Sequence, residues 1–331
     1  MHELCKRFSS LALVSAFAAP VAMAECGDVS VAEMNWASAE VIANIDSFIM
    51  TEGYGCNVEL IPGATLPSFT SLNEKGRPQV LPEMWANAAA LLIDQGVSEG
   101  RMEVLNEAPF ATAGEGYFIP RWLQEANPEL TTVEAVLSRP DLFPHPEDDA
   151  RGGIHTCPAG WGCEINTGNL FRAFDMESKG WDLVMTGSGA GLDGTIAKAG
   201  QRDEPWFGYY WTPTTLIGQY DMVLLDWETG FDGEHWDACI VNAECTDPKP
   251  TRWTESRVVS LATTDFSTEH PELATYLKKR VLKDAEIGQI LSWKADNQAT
   301  GEDTAMEFLA TSDAWKSWVP ADVAAKVEKA L

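Results

Sequence analysis

Cys157 and Cys163 in the stretch CPAGWGCEIN enclose Trp161 between two glycines, so a bridge between them would mount a large aromatic ring on a small covalently closed loop. The chain has 13 tryptophans. Four of them stand beside glycine, proline or polar residues rather than in aliphatic runs: Trp36 in MNWAS, Trp85 in LPEMWANAA, Trp161, and Trp211 in GYYWTPTT. A tryptophan face attracts a cation through the ring quadrupole and needs no hydrogen-bond donor on the ligand. That makes rings of this kind suited to a quaternary ammonium group, which has no N–H to offer. A single tryptophan is more often core packing, but four in loop settings point to an aromatic box.

The elements that would carry these rings alternate between strand and helix. Val29 to Asn35 reads as an apolar strand, Ser38 to Thr51 has apolar residues at helical spacing, and Cys56 to Leu60 reads as the next strand. This βαβ opening marks a parallel sheet covered by helices. Further along, the pattern predicts a helix from Glu83 to Asp94, a strand at Gly116 to Pro120, a helix at Thr132 to Leu137 and a strand at Asp182 to Met185. Near the end it predicts a strand at Arg257 to Thr263 and helices at His270 to Arg280, Asp284 to Asp296 and Ala321 to Leu331. The Gly-rich run GSGAGLDGT, Gly187 to Thr195, holds GxGxxG at Gly189 to Gly194 but lacks the strong preceding strand and the later acidic partner of a dinucleotide fingerprint.

At the N-terminus, Lys6 and Arg7 precede an apolar run from Leu11 to Val21, and Ala22-Met23-Ala24 supplies a small-x-small cleavage pattern. Residues 1–24 are therefore expected to be an export signal removed after Ala24, and the run is too short for a membrane span of about 20 residues. Glu25 before Cys26 does not fit a lipoprotein cleavage site. Outside the leader six cysteines remain, and an oxidising compartment suits three bridges. Fifteen pairings are formally possible. The short spacings favour Cys157 with Cys163 and Cys239 with Cys245, which leaves Cys26 with Cys56. Zinc is disfavoured because no CxxC pair occurs and the five histidines are scattered.

The formal net charge is −27, which argues against nucleic acid or anionic membrane surfaces as partners. A chain of 331 residues is long enough for two lobes, each with its own core. Glu147, Asp148 and Asp149 in PHPEDDARGG could offer oxygen ligands to a structural Ca²⁺, without EF-hand spacing. The acid and imidazole groups of FDGEHWDACIVNAEC, around His235, are accounted for by a short closed surface hairpin. A secreted hydrolase would need a nameable nucleophile and base, and HExxH does not occur. A carbohydrate-cleaving carboxylate pair with tryptophan sugar platforms is the rival reading from another class.

Four segments together resemble the periplasmic substrate-binding proteins of ABC importers for glycine betaine, proline betaine and choline. GCNVELIPG followed by TSL is similar to the family's second strand and its loop. EMWANAA stands in place of its Asn-Trp-x-Pro segment, CPAGWGCE resembles its disulfide-closed tryptophan loop, and YYWTP its second-lobe aromatic segment. The resemblance covers nearly the whole chain after the leader. It implies two α/β lobes closing about a hinge, with 25–115 and 259–331 as a discontinuous first lobe and 116–258 as the second. It implies a monomer that docks on a membrane permease, needs no cofactor and is not an enzyme.

The same resemblance makes Trp85, Trp161 and Trp211 box walls and adds Trp36 and Tyr117, which match positions of the choline-binding branch. The backbone N–H groups of Gly162 and Cys163 would face an anionic ligand oxygen. In betaine-binding members a histidine four residues after the first-lobe tryptophan helps to hold the carboxylate, and here that position is Ala89. Glu115, on the strand face of Tyr117, and Glu164, beside the loop, are carboxylates in its stead. A carboxylate near the box favours a cation or a group that shares a proton. The expected ligand is a small trimethylated amine, with trimethylamine N-oxide ahead of choline and glycine betaine.

Overall fold

The computed structural model describes residues 26–111 and 113–331; the expected leader lies outside them. The chain builds two sheets. In the first, β1 (Gly27–Met34), β2 (Cys56–Gly63), β3 (Val80–Trp85) and β4 (Met102–Asn106) are followed much later by β11 (Val258–Thr263), in the order β2-β1-β3-β11-β4. The second holds β5 (Gly114–Pro120), β6 (Pro144–His145), β7 (Asp148–His155), β8 (Trp181–Val184), β9 (Gly208–Thr212) and β10 (Met222–Leu224), in the order β10-β5-β9-β7-β6 with β8 beside β7. The chain leaves the first sheet after Asn106, enters the second at Gly114, and returns at Val258. This is the two-lobe α/β architecture expected from the sequence.

The opening βαβ unit forms as its apolar pattern dictates. β1 and β2 pair in parallel from Gly27 opposite Cys56 to Met34 opposite Gly63, and the Cys26–Cys56 disulfide ties the two strand starts. The helix Ala37–Phe48 buries Val41, Ile42 and Ile45 on the sheet and runs into a wider turn, Ile49–Gly53. The helices Pro271–Lys279, Asp284–Asn297, Gly301–Thr311 and Ala321–Ala330 cover the first lobe and bury, among others, Tyr276, Ile287, Phe308 and Val327. A second core runs from Met84 and Ile93 in the first lobe, through the tryptophans between the sheets, to Phe143, Trp181 and Phe207 in the second.

Two expectations are corrected. The helix predicted from Glu83 begins only at Ala90, because Val80–Trp85 is a strand buried along nearly all its length. Short apolar runs do not distinguish a buried strand from a helical turn. Pro82, which has no N–H to donate, sits where the β3–β11 register shifts, and its carbonyl accepts from Ser260 Oγ at 2.7 Å instead. The segment around His235 is two short helical turns, Gly233–His235 and Trp236–Ile240, rather than a hairpin. It is tied by Cys239–Cys245 and by Asn169 Nδ2 donating to the carbonyls of Cys239 and Ile240.

Glu147 and Asp148 lie in the tight β6–β7 turn, with Asp149 exposed at the start of β7. Among the described residues no group of three or more His, Cys, Asp or Glu side chains is arranged to hold a metal ion. The Gly187–Thr195 run opens the helix Gly189–Arg202, with Ser188 Oγ accepting from Gly191 N at 3.0 Å. Gly189 lies so close to the cleft that a Cβ there would be 3.0 Å from both the Asn35 carbonyl and the Trp161 ring. Close packing, not phosphate binding, accounts for that glycine.

Candidate functional site

Trp36, Trp85, Trp161 and Trp211 come together between the two sheets around a narrow hollow. Trp36 follows β1 as the residue before the helix Ala37–Phe48, and Trp85 ends β3, so the first lobe supplies two rings. The second supplies Trp161 at the start of the helix Gly162–Ala173 and Trp211 in β9. Trp161 stands edge-on to both Trp36 and Trp211, with ring centroids 5.2 Å apart in each pair and planes at 71° and 77°. Rings set at such angles present faces and edges to one point rather than stacking shut.

The Trp161 loop is fixed from several sides. The Cys157–Cys163 disulfide closes it, Gly160 takes a left-handed φ of 87° that favours glycine, and Glu164 Oε2 accepts from Gly160 N at 2.9 Å. Glu164 is thus turned back onto its own loop and does not line the hollow. Gly162 and Cys163 do line it, at the first turn of a helix where backbone N–H groups lack intrahelical partners. The 3₁₀ turn Ala86–Ala88 of the first lobe packs on this turn so tightly that a Cβ on Gly162 would sit 2.2 Å from that of Ala88. Leu66 N also donates to Gly160 O at 3.1 Å across the cleft. The lobes are closed on one another.

Among the described residues, Glu115 supplies the only acidic or basic side chain in the lining. Its Oε1 accepts from Asn87 Nδ2 and its Oε2 from the Tyr209 hydroxyl, each at 2.7 Å, and no cation pairs with it among the described residues. Burial holds its carboxyl above the usual carboxylate range, partly offset by those two hydrogen bonds. Tyr117 is not a wall. It lies on the same strand face, opposite Tyr209, but is fully buried among Phe207, Trp227 and Trp253 with ring centroids 5.4 to 5.9 Å away. Tyr209 stands in the lining instead, and Tyr117 supports it from beneath. Ala89, where an imidazole was expected in betaine binders, is buried outside the lining, while Ala88 reaches it.

Sequence reasoning did not find Asn87, Asn166, Thr65 or Tyr209, all of which line the hollow, nor Glu83 behind it. Glu83 Oε1 accepts from the indole N–H of both Trp36 (2.7 Å) and Trp85 (2.9 Å) and from Ser38 Oγ (3.0 Å). Burial pushes Glu83 up to about 7 despite these donors. A Glu two residues before a tryptophan in a strand was the available signal, since i and i+2 share a face.

The family model for the substrate binding domain of ABC-type glycine betaine transport systems matches residues 27–311. No curated protein sequence matches the chain. Among solved structures, a choline binding protein of an ABC transporter in complex with choline superposes with a TM-score of 0.71 at 17% identity over 92% of this chain and 98% of that one. The glycine betaine, L-proline binding protein ProX from Borrelia burgdorferi gives 0.70 at 16% identity over 91% and 99%. Lactococcal OpuAC in its closed conformation with glycine betaine gives 0.66 at 16% identity over 89% and 100%. These likenesses carry the fold, and the family model carries the assignment. The chain belongs to the substrate-binding domains of ABC-type glycine betaine transport systems, and is a ligand-capturing component of an importer, not an enzyme.

Proposed function

We propose that this protein captures a small trimethylated amine between its tryptophans and delivers it to a membrane permease, with trimethylamine N-oxide as the preferred ligand. The observation that carries the choice is Glu115, the sole acidic group of a lining that, among the described residues, holds no Lys, Arg or His. A ligand carboxylate would meet this acid without a side-chain cation to offset it. An N-oxide oxygen can share a proton with a carboxyl whose pKa burial has raised, while Trp36, Trp85, Trp161 and Trp211 surround the methyl groups. Each well-placed, desolvated ring contributes roughly 2 kcal/mol.

Choline is the second reading, favoured by the same carboxylate acting as counter-ion. Glycine betaine would lean on uncharged donors such as the Gly162 and Cys163 N–H groups. The chain is exported, with its leader cut after Ala24, and works as a monomer. In the lobe assignment of 25–115 with 259–331 against 116–258, Glu115 falls at the hinge crossing. Calorimetric titration with the N-oxide, choline and betaine in parallel, repeated with Trp161→Ala, tests the reading. Tight N-oxide binding that vanishes in the variant supports it; preference for betaine overturns the ligand choice, and no binding by any of the three overturns the box.

A further inference from the structure

Glu83 does not line the hollow, yet it touches both first-lobe tryptophans through one atom. Its side chain is 1% exposed. Strand alternation puts Glu83 and Trp85 on one face of β3, so the Trp85 indole folds back to reach Oε1, while Trp36 and Ser38 arrive from the end of neighbouring β1 and the helix after it. An indole has a single donor. Holding that donor as well as the Cβ restricts how the ring can turn, and holding two donors on one oxygen couples the two rings.

The neighbouring cation Arg280 acts on this carboxylate through its charge but makes no ion pair with it among the described residues. Arg280, wholly buried, lies 2.9 Å from Asp46 and donates to the Pro82 carbonyl and Ser260 Oγ. Glu83 is left with the indoles and Ser38, and its Oε2 has no hydrogen-bond partner among the described residues. All its partners belong to the first lobe, so the arrangement survives separation of the lobes. Trp161, by contrast, donates to Asn35 across the cleft.

We propose that Glu83 is the positioning residue of the first-lobe half of the box, holding Trp36 and Trp85 at their binding angle before ligand arrives. This rests on reading the box as the trimethylammonium site. Pre-set rings do not have to be ordered at the moment of binding, so the carboxylate raises affinity without touching ligand. In Glu83→Gln the amide oxygen can still accept both indoles; in Glu83→Met nothing can.

The test follows the indole N–H resonances of the ligand-free protein, assigned with Trp36→Phe and Trp85→Phe, alongside titration with choline and trimethylamine N-oxide. Expected in Glu83→Met is a joint shift of the Trp36 and Trp85 signals, with the other indoles in place, and binding weakened about 10- to 100-fold. Glu83→Gln is expected to keep both signals near their wild-type positions and affinity within about threefold. Movement of only one signal, or unchanged binding in Glu83→Met, overturns the proposal. If the wild type binds neither ligand, the function reading falls, and the ligand-free resonances alone decide whether one carboxylate holds both rings. If Glu83→Met does not fold, Glu83→Gln decides: a shift of both indole signals with binding lost as well overturns rescue by the retained acceptor.

Discussion

Trp161 donates its indole N–H to Asn35 Oδ1 at 2.7 Å, a bond between the second-lobe loop and the first-lobe turn that exists only when the cleft is shut. It holds the ring edge-on to Trp36 and resists reopening.

Asn35→Ala should therefore speed ligand release more than it slows capture. One net hydrogen bond contributes about 1 kcal/mol, so the expected loss is roughly fivefold in affinity, carried mainly by the dissociation rate. Stopped-flow tryptophan fluorescence separates the two rates; an unchanged dissociation rate would mean that the bond does not latch the closed form.

Gly162→Ala should hold the cleft open. The added Cβ would lie 2.2 Å from that of Ala88, a contact neither backbone can relieve cheaply. Overpacking of this kind costs about 1–3 kcal/mol, or roughly 5- to 150-fold in affinity. The double variant Gly162→Ala with Ala88→Gly removes the opposing methyl and should restore binding. Failure of the second change to rescue would show that Gly162 matters for its backbone, not its missing side chain.

The two-lobe fold and the four tryptophans were legible because each rests on local pattern. Parallel strands with aliphatic runs announce βαβ units, and rings in polar loops stand out against composition. What stayed hidden depends on pairing across strands. Tyr209 was passed over for Tyr117 because only the β5–β9 register places the two side by side and leaves Tyr117 beneath. Asn87 and Glu83 were lost when their segment was read as a helix, since a buried strand with a proline has no alternation to show.

The loop disulfide should matter for ligand capture more than for folding. Replacing Cys157 and Cys163 together by serine frees the backbone around Trp161, and each residue that must be re-ordered costs about 1 kcal/mol or more. Only a fraction of molecules then present the ring correctly, and the apparent affinity falls by that fraction, roughly tenfold. Calorimetry should show the loss as a more unfavourable binding entropy, with the thermal midpoint little changed. Equal affinity in the doubly substituted protein would mean that Gly160 and the Glu164 contact suffice.

Glu115 makes the N-oxide and choline separable by pH. Burial raises its pKa, so the empty site keeps its proton at pH values where an ordinary glutamate has lost it. If the N-oxide shares that proton, the complex retains it while the free site releases it as pH rises through the Glu115 pKa. N-oxide affinity is then full below that pKa and falls about tenfold per pH unit above it. Choline needs the charged carboxylate, so its affinity is full above the same pKa and falls below it. Glu115→Gln should flatten both profiles and weaken choline in particular, because the amide offers no counter-charge. Titrations of the wild type and the variant across pH 5 to 9 check the sign directly. N-oxide binding that strengthens with rising pH would place the shared proton elsewhere and return Glu115 to the role of counter-ion for a fixed cation.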